Sequence, residues 1–268
     1  MKVKGECKIN LGTAIFLQLL EENPLFYTSR YGLLEIQDFV MPSNLDKNHS
    51  FIINKYQDLL KDYRGILSLH APFKELFPSS WDILVQDLAR KRFSQALKYG
   101  KELGCTTMVV HSCFNPLIKD GSYRDAWLEN SKTFWDNFLD CCVKEGIKVV
   151  IENVWDKDWA HIIKLLDEFS SPFFKACLDT GHARLSSRHS LEEWGSMLGK
   201  NLAHVHIHDN HGFTDEHLPV GEGTIVFDTF LRLINDNSSL TLVNEAYGSI
   251  REEEIFLNYL KKNNLTVY

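Results

Sequence analysis

The chain has 268 residues, of which 44% are hydrophobic and 24% are charged, and its formal net charge is −7 at pH 7. This length and apolar content are sufficient for a full buried core in one or two domains. The negative charge excludes a general electrostatic attraction to nucleic acid or to an anionic membrane. Local contact with nucleic acid stays open, because bound cations would offset nearby carboxylates.

The first residues have only some features of a signal peptide. Lys2 and Lys4 precede an apolar run from Leu11 to Leu20, but Glu6 and Lys8 intervene and no small-residue cleavage site follows. We expect this stretch to form the first strand and helix. Nothing approaches the roughly 20 apolar residues of a membrane span, so no membrane partner is expected.

Cysteine usage indicates a reducing compartment. The six cysteines include no C-x-x-C pair and no spacing typical of a disulfide framework; they stand at positions 7, 105, 113, 141, 142 and 177. We therefore expect reduced thiols and a cytoplasmic location.

Short apolar runs alternate with amphipathic segments along the chain. The runs predicted as strands are Glu6–Asn10, Leu33–Phe39, Ile66–Ala71, Thr107–His111, Ile147–Glu152, Lys175–Asp179, Ala203–His208 and Leu240–Glu245. The segments predicted as helices are Trp81–Leu103, Tyr123–Glu145, Asp158–Phe169, Ser190–Leu198, Phe227–Asn235 and Ile250–Lys262. Gly104 and Gly146 follow two of these helices and are predicted to be C-caps that turn the chain into the next strand.

Eight strands alternating with helices predict an α/β fold, a single (β/α)8 TIM barrel. We expect one domain over residues 1–268, because no linker, low-complexity tract or change of composition divides the chain. An open, doubly wound sheet is the alternative, but no G-x-G-x-x-G motif follows the first strand.

Five histidines and four carboxylates lie at the C-terminal ends of the predicted strands or in the loops just beyond: His70, His111, Glu152, Asp179, His182, His206, Asp215, His217 and Glu245. Burying scattered polar groups without partners would cost several kcal/mol each. The loops at this end of a TIM barrel carry its active site. Imidazole and carboxylate groups are ligands for divalent transition metals, so the sequence predicts a shared metal site.

Each of these residues also has an ordinary structural interpretation. A lone histidine such as His70 is more often a core or loop residue. A carboxylate such as Glu152 can pair with a lysine or arginine, although the one basic residue of its strand, Lys148, stands at the opposite end. In HVHIHDN, residues 204, 206 and 208 face one side of a strand. We expect His204 to be a packed interior residue and His208 to support the site or contact substrate.

The motifs HAPF, HS, IEN, LDTGH, HIHD, D-x-H-x-x-x-GEG and NEAY occur in this order. Together they resemble the xylose isomerase-like TIM-barrel superfamily over nearly the whole chain from the third strand onwards. This superfamily contains sugar isomerases and epimerases, and the endonuclease IV type of apurinic DNA repair enzyme, known as AP endonuclease family 2.

The resemblance to the repair enzymes implies three metal ions. One would take His70, His111 and Glu152; a second would take Glu152, Asp179, His206 and Glu245; a third would take His182, Asp215 and His217. Two departures stand against this branch: residues 154–157 replace an Ala-Gly-Gln-Gly-like stretch, and Gly181 replaces a cysteine. The loops also look poor in the lysine and arginine that phosphates require, so DNA is the less favoured partner.

The resemblance to the sugar isomerases and epimerases implies one metal ion on Glu152, Asp179, His206 and Glu245. Glu152 and Glu245 would then shuttle a substrate proton as base and acid, and His182 would hold a substrate oxygen. Phe73, Phe114 and Trp155 are candidates for an apolar wall against the sugar ring. One departure is that Asn210, His211 and Gly212 stand where epimerases of this type often place an arginine.

The sequence therefore favours a metal-dependent isomerase or epimerase of a sugar or related small polyhydroxylated substrate, holding one to three divalent ions, Zn or Mn foremost. The first alternative is a metal-dependent phosphodiester hydrolase acting at abasic DNA. A dehydratase and a non-catalytic sugar- or metal-binding barrel are further alternatives. A homodimer is the default expectation for the oligomeric state.

Overall fold

A computed structural model describes residues 10–234 and 239–263, and within them eight parallel strands close into a barrel in chain order. The strands are β1 (Asn10–Ile15), β2 (Leu33–Ile36), β3 (Ile66–His70), β4 (Thr107–His111), β5 (Lys148–Glu152), β6 (Phe174–Asp179), β7 (Leu202–Ile207) and β8 (Thr241–Asn244). The predicted (β/α)8 TIM barrel is confirmed.

Helices surround the barrel and connect its strands. They are α1 (Leu17–Glu22), α2 (Pro24–Arg30), α3 (His49–Leu59), α4 (Ile83–Leu103), α5 (Tyr123–Glu145), α6 (Ala160–Phe169), α7 (Thr180–Ser186), α8 (Leu191–Leu198), α9 (Asp228–Ile234) and α10 (Ile250–Lys262). No described helix is long and apolar enough to cross a membrane. The extent of the domain over residues 1–268 stays a prediction, because 1–9, 235–238 and 264–268 lie outside the described residues.

Most predicted boundaries lie within two residues of the observed ones, and β4, α5 and α10 match their predicted ranges. Strand β2 is shorter than predicted: it ends at Ile36, and a 3-10 turn follows over Asp38–Val40. The predicted glycine caps are confirmed, because Gly104 and Gly146 have φ angles of 78° and 72°, in the left-handed region that favours glycine.

The first strand extends further than predicted. It was expected over Glu6–Asn10, whereas β1 is described over Asn10–Ile15, so its predicted end is wrong; residues 6–9 lie outside the described residues and its predicted start stays a prediction. The apolar run from Leu11 forms this strand and α1, as expected. The apolar run supplies the strand because Leu11 and Ile15 are buried and pack into the main core. Leu11 pairs in register with Leu242 of β8, which places the strand where the barrel closes.

Alternating side chains divide the core into two regions. Val149 and Ile151 of β5 belong to the large apolar cluster that also includes residues of the surrounding helices. Val150, between them, belongs instead to a small separate cluster with Val109 of β4 and Cys177 of β6. The barrel interior is thus partly apolar, and the same alternation directs the polar residues at the strand ends inwards.

A buried carboxylate joins the last helix to the closure of the barrel. Glu253 of α10 accepts hydrogen bonds from Thr13 of β1, Asn244 of β8 and the hydroxyl of Tyr31. Burial raises the pKa of Glu253, although these hydrogen bonds oppose the shift. This network fixes α10 against the junction of the first and last strands.

Aromatic packing between α4 and α5 should contribute strongly to the free energy of unfolding. Phe93 is 1% exposed and contacts the rings of Phe134, Trp135 and Phe138. We expect Phe93→Ala to lower the free energy of unfolding by about 3–5 kcal/mol, because it removes buried surface and leaves a cavity. Denaturant titration measures this loss. Leu84→Ala, on an exposed position of the same helix, should change stability by less than about 0.5 kcal/mol, and an equal effect of both variants would contradict the packing argument.

Candidate metal centre at the barrel mouth

The structure brings all nine predicted ligand residues to one end of the barrel. His70, His111, Glu152 and Asp179 are the last residues of β3 to β6, and Glu245 directly follows β8. The remaining four come from β7, the first turn of α7 and the loop after β7. Their ligand atoms, joined in the third group by those of His208, form groups within 4.8 Å of one another: His70, His111 and Glu152; Glu152, Asp179, His206 and Glu245; and His182, His208, Asp215 and His217.

Glu152 is shared between the first two groups. Its Oε2 lies 3.1 Å from Nε2 of His70 and 3.5 Å from Nε2 of His111. Its Oε1 lies 3.5 Å from Nδ1 of His206. The two oxygens of this buried carboxylate therefore face different imidazoles, which is the arrangement expected of a bridging ligand.

The second group surrounds one nitrogen atom of His206. Nδ1 lies 3.2 Å from Oε2 of Glu245, 3.5 Å from Oε1 of Glu152 and 3.9 Å from Oδ2 of Asp179. None of these contacts is aligned as a hydrogen bond, so this fully buried atom has no hydrogen-bond partner among the described residues. A buried nitrogen amid three carboxylates fits a divalent cation, which nitrogen and oxygen ligands together coordinate.

The third group is centred on Asp215. Its Oδ2 lies 3.2 Å from Nε2 of both His182 and His217. The ring of His217 is stacked between those of His208 and Tyr247, at centroid distances of 3.8 and 4.0 Å. The backbone of His217 has a φ angle of 49°, so this side chain is held in a left-handed conformation that non-glycine residues seldom adopt.

Backbone carbonyls select one tautomer in three of the histidines. Nδ1 of His70, His182 and His217 lies 2.8, 3.0 and 2.7 Å from the carbonyl oxygens of Ala71, Asn153 and Glu245, respectively. A carbonyl oxygen only accepts hydrogen bonds, so each Nδ1 carries the proton. In the neutral ring Nε2 then presents its lone pair to the centre, as a metal ligand must.

Charge compensation keeps the buried carboxylates ionised. Burial alone would raise the pKa of Glu152, but the imidazoles of His111 and His206 outweigh it and hold that pKa well below its usual range. Asp179 has its pKa lowered to about 2 by His182 and His208, again against the effect of burial. Asp179, Asp215 and Glu152 raise the pKa of His182 well above the ordinary value despite burial. Cys177, Glu245, Glu35 and Glu152 do the same for His206.

The strand-to-helix turn LDTGH builds two ligand positions at once. Asp179 is the N-cap of α7, and its Oδ1 accepts a hydrogen bond of 2.7 Å from the backbone N–H of His182. Gly181 lies between them because a Cβ there would collide with the ring of His208. The ring of His208 thus explains the departure at Gly181 from the repair-enzyme pattern.

A cavity of about 380 Å³ opens above the centre. Phe73 and Trp155 line it as predicted, together with Gln37, Lys74 and Tyr247, which the sequence analysis did not single out. Two residues differ from the prediction. Phe114 is buried and stacks on His161, away from the cavity wall. His208 is fully buried and lies against Asp179 with Nε2 3.1 Å from both carboxylate oxygens, so the structure does not bring it to the cavity as a substrate contact.

Glu35, which was not among the predicted site residues, lies beneath the centre. This carboxylate is fully buried in the middle of β2, and it contacts both His204 and His206. Burial raises its pKa, but the two imidazoles outweigh this and lower it far below the usual range. A glutamate inside the apolar run LLEI was the available signal. The expectation that His204 is a packed interior residue is confirmed.

Comparison with known proteins agrees with this geometry. The profile of the family described as "Xylose isomerase-like TIM barrel" matches residues 33–255. The uncharacterized protein MJ1311 of Methanocaldococcus jannaschii is 27% identical over 219 residues, which cover 77% of this chain and 74% of that protein.

Two solved structures share the fold. A D-tagatose 3-epimerase-like protein superposes with a TM-score of 0.76 at 23% identity, covering 96% of this chain and 98% of the other. The TTHB071 protein of Thermus thermophilus, from a crystal soaked with ZnCl2, gives a TM-score of 0.77 at 23% identity, covering 95% and 98%. The match over residues 33–255 agrees with the closed barrel and with the imidazoles and carboxylates at its strand ends. The chain belongs to the xylose isomerase-like TIM barrel family.

Proposed function

We propose that this protein is a divalent-metal-dependent isomerase or epimerase of a sugar-like, polyhydroxylated substrate. The proposal rests on the environment of Nδ1 of His206. This atom is buried without a hydrogen-bond partner among the described residues, and it faces the carboxylates of Glu152, Asp179 and Glu245. These four residues would hold the ion, for which Zn and Mn are the leading candidates.

A bound divalent cation would polarise a substrate carbonyl and acidify the proton on the neighbouring carbon. Glu152 ends β5 and Glu245 directly follows β8, and a carboxylate oxygen of each lies within 3.5 Å of Nδ1 of His206, so that one can accept this proton while the other returns one. His182 lines the same cavity with its Nε2 directed away from the backbone, in a position to hold a substrate oxygen.

The residues that line the cavity favour a small, largely neutral substrate. Phe73, Trp155 and Tyr247 supply aromatic surface against which the C–H face of a sugar can pack. Lys74 is the only lysine or arginine among the described residues that line the cavity. A ketose is favoured further by the name of one structural neighbour, a D-tagatose 3-epimerase-like protein.

Proton exchange with solvent tests the reaction. In D2O, with Mn or Zn supplied, we expect deuterium to enter the carbon next to the carbonyl of D-tagatose or another ketohexose, as measured by NMR or mass spectrometry. Glu152→Gln should slow this exchange by about 10²–10⁴-fold, because it removes a proton-transfer group. Glu129→Gln, an exposed change on α5, is the matched control. Binding of sugars without any exchange would instead indicate a non-catalytic binding barrel.

Protons and metal compete for the same imidazoles. Because neighbouring acidic groups raise the pKa of His206 well above its ordinary value, its ring is protonated near pH 7 without metal, and a bound ion must displace the proton on Nδ1. We therefore expect zinc affinity to rise with pH between 6 and 8, by about tenfold per pH unit for each proton displaced. Calorimetric titration in buffers of different ionisation enthalpy measures the released protons. An affinity that does not change with pH would contradict ligation by the imidazole of His206.

Metal-dependent hydrolysis at abasic DNA is the second candidate. It is favoured by the third group, in which Asp215 lies 3.2 Å from both His182 and His217, since a three-ion centre needs that group as well as Glu152. The single lysine at the cavity opposes it, because a DNA backbone requires several cationic contacts.

We expect no cleavage of an abasic oligonucleotide with zinc or manganese supplied, because the cavity offers phosphates one cation only. Gel analysis of the incubated strand measures this, and elemental analysis should count fewer than three tightly held ions. The discriminating control is Asp215→Asn. If the unsubstituted protein cleaves the strand and the Asp215→Asn variant does not, the epimerase proposal is rejected in favour of the hydrolase.

A further inference from the structure

Glu35 contacts the candidate centre from below without being one of its ligands. It lies on β2, whereas His206 lies on β7, and these strands are not neighbours in the closed barrel. We propose that Glu35 is a positioning residue that holds the proton of His206 on Nε2 and thereby directs the Nδ1 lone pair at the metal ion. This inference rests on the proposed function, because it presupposes that the centre binds a cation.

The geometry allows only one direction of donation. Nε2 of His206 lies 2.9 Å from Oε1 of Glu35 in a hydrogen bond between fully buried groups. An ionised carboxylate only accepts, so Nε2 must carry the proton. Nδ1, on the opposite side of the ring, is then free of a proton once the ring is neutral, and it faces Glu152 and Glu245.

His206 needs this carboxylate because it is oriented differently from the other histidines. His70, His182 and His217 each place Nδ1 against a backbone carbonyl and turn Nε2 towards the centre. His206 instead turns Nε2 into the barrel interior, and β7 is paired with strands on both sides, so that the neighbouring backbone is used by the sheet. A side chain from across the barrel supplies the acceptor.

Other buried side chains prevent the carboxylate from rotating. Ser68 Oγ donates to Oε2 at 3.0 Å, and Gln37 Nε2 donates to Oε1 at 3.2 Å. Nε2 of His204 lies 3.0 Å from Oε2, and its Nδ1 contacts the hydroxyl of Thr241. Both oxygens are therefore engaged from two directions, as expected of a group whose orientation fixes that of a ligand.

Two other roles for Glu35 lead to different expectations. As a direct ligand it would share a ligand group with the carboxylates, but none of the groups found among the described residues includes it. As a purely structural carboxylate it would affect stability without any specific effect on metal affinity. Glu253 provides the comparison, because it is also buried and accepts from Thr13, Tyr31 and Asn244 rather than from a histidine.

Zinc titration of the full chain at fixed pH separates these roles. Glu35→Gln keeps the shape of the side chain but removes the negative charge that holds the proton on Nε2 of His206, and it replaces one oxygen with a donor. We expect it to weaken zinc binding by about 10- to 100-fold, as is typical when the partner of a ligating histidine is lost. Glu253→Gln should leave zinc affinity within about twofold of the unsubstituted protein. Equal zinc affinities of the two variants, weakened or not, would overturn the positioning role.

A second measurement needs no substitution and so does not depend on the folding of a variant. The unsubstituted protein, with ¹⁵N-labelled histidine and loaded with ¹¹³Cd, should show one imidazole whose Nδ1 couples to cadmium and whose Nε2 carries a protected proton. Cadmium coupling only to Nε2 atoms would reject the role of Glu35 while leaving the metal centre intact. Absence of coupling to any imidazole would reject the metal centre itself, and this inference with it.

Discussion

The central constraint on this protein is the burial of several carboxylates in one small volume. Glu35, Glu152, Asp179 and Glu245 are each at most 4% exposed; the last three lie at the mouth of the barrel and Glu35 lies just beneath them. Such a concentration of negative charge is costly away from water unless cations or protonated imidazoles balance it. The histidines at the strand ends supply this balance in the protein alone, and a divalent ion would supply it in the loaded state.

The parallel barrel is what makes this concentration possible. Every strand runs in the same direction, so the residues that end β3 to β6 meet around one opening although they are far apart in the chain. The alternation of side chains then separates the apolar layer under the helices from the polar groups that point inwards. The outer faces of the strands therefore pack against the helices and stabilise the fold, while the inner faces carry the polar groups of the candidate site.

The histidines are oriented by two kinds of partner. Three of them bond to backbone carbonyls, whose positions are fixed by the fold, and His206 bonds to a carboxylate on a distant strand. Rigid ligands of this kind bind an ion without first losing conformational freedom. Membership of the family accounts for the barrel, whereas the proposed preference for a sugar-like substrate rests on the cavity wall, to which Phe73, Trp155, Tyr247 and Lys74 contribute.

The sequence by itself determined the barrel and the set of residues at its mouth, because apolar periodicity and polar strand ends are local patterns. It located α5 and α10 to the residue, but it ended the first strand at Asn10 instead of Ile15, because the pairing with β2 and β8 that extends this strand is not visible in a local pattern. Only the tertiary structure decided which side chains meet. Glu35 reaches His206 across the barrel, over 171 residues of chain, and Tyr247 stacks on His217 through a loop. Such contacts depend on how the closed sheet directs each side chain, which no local pattern encodes.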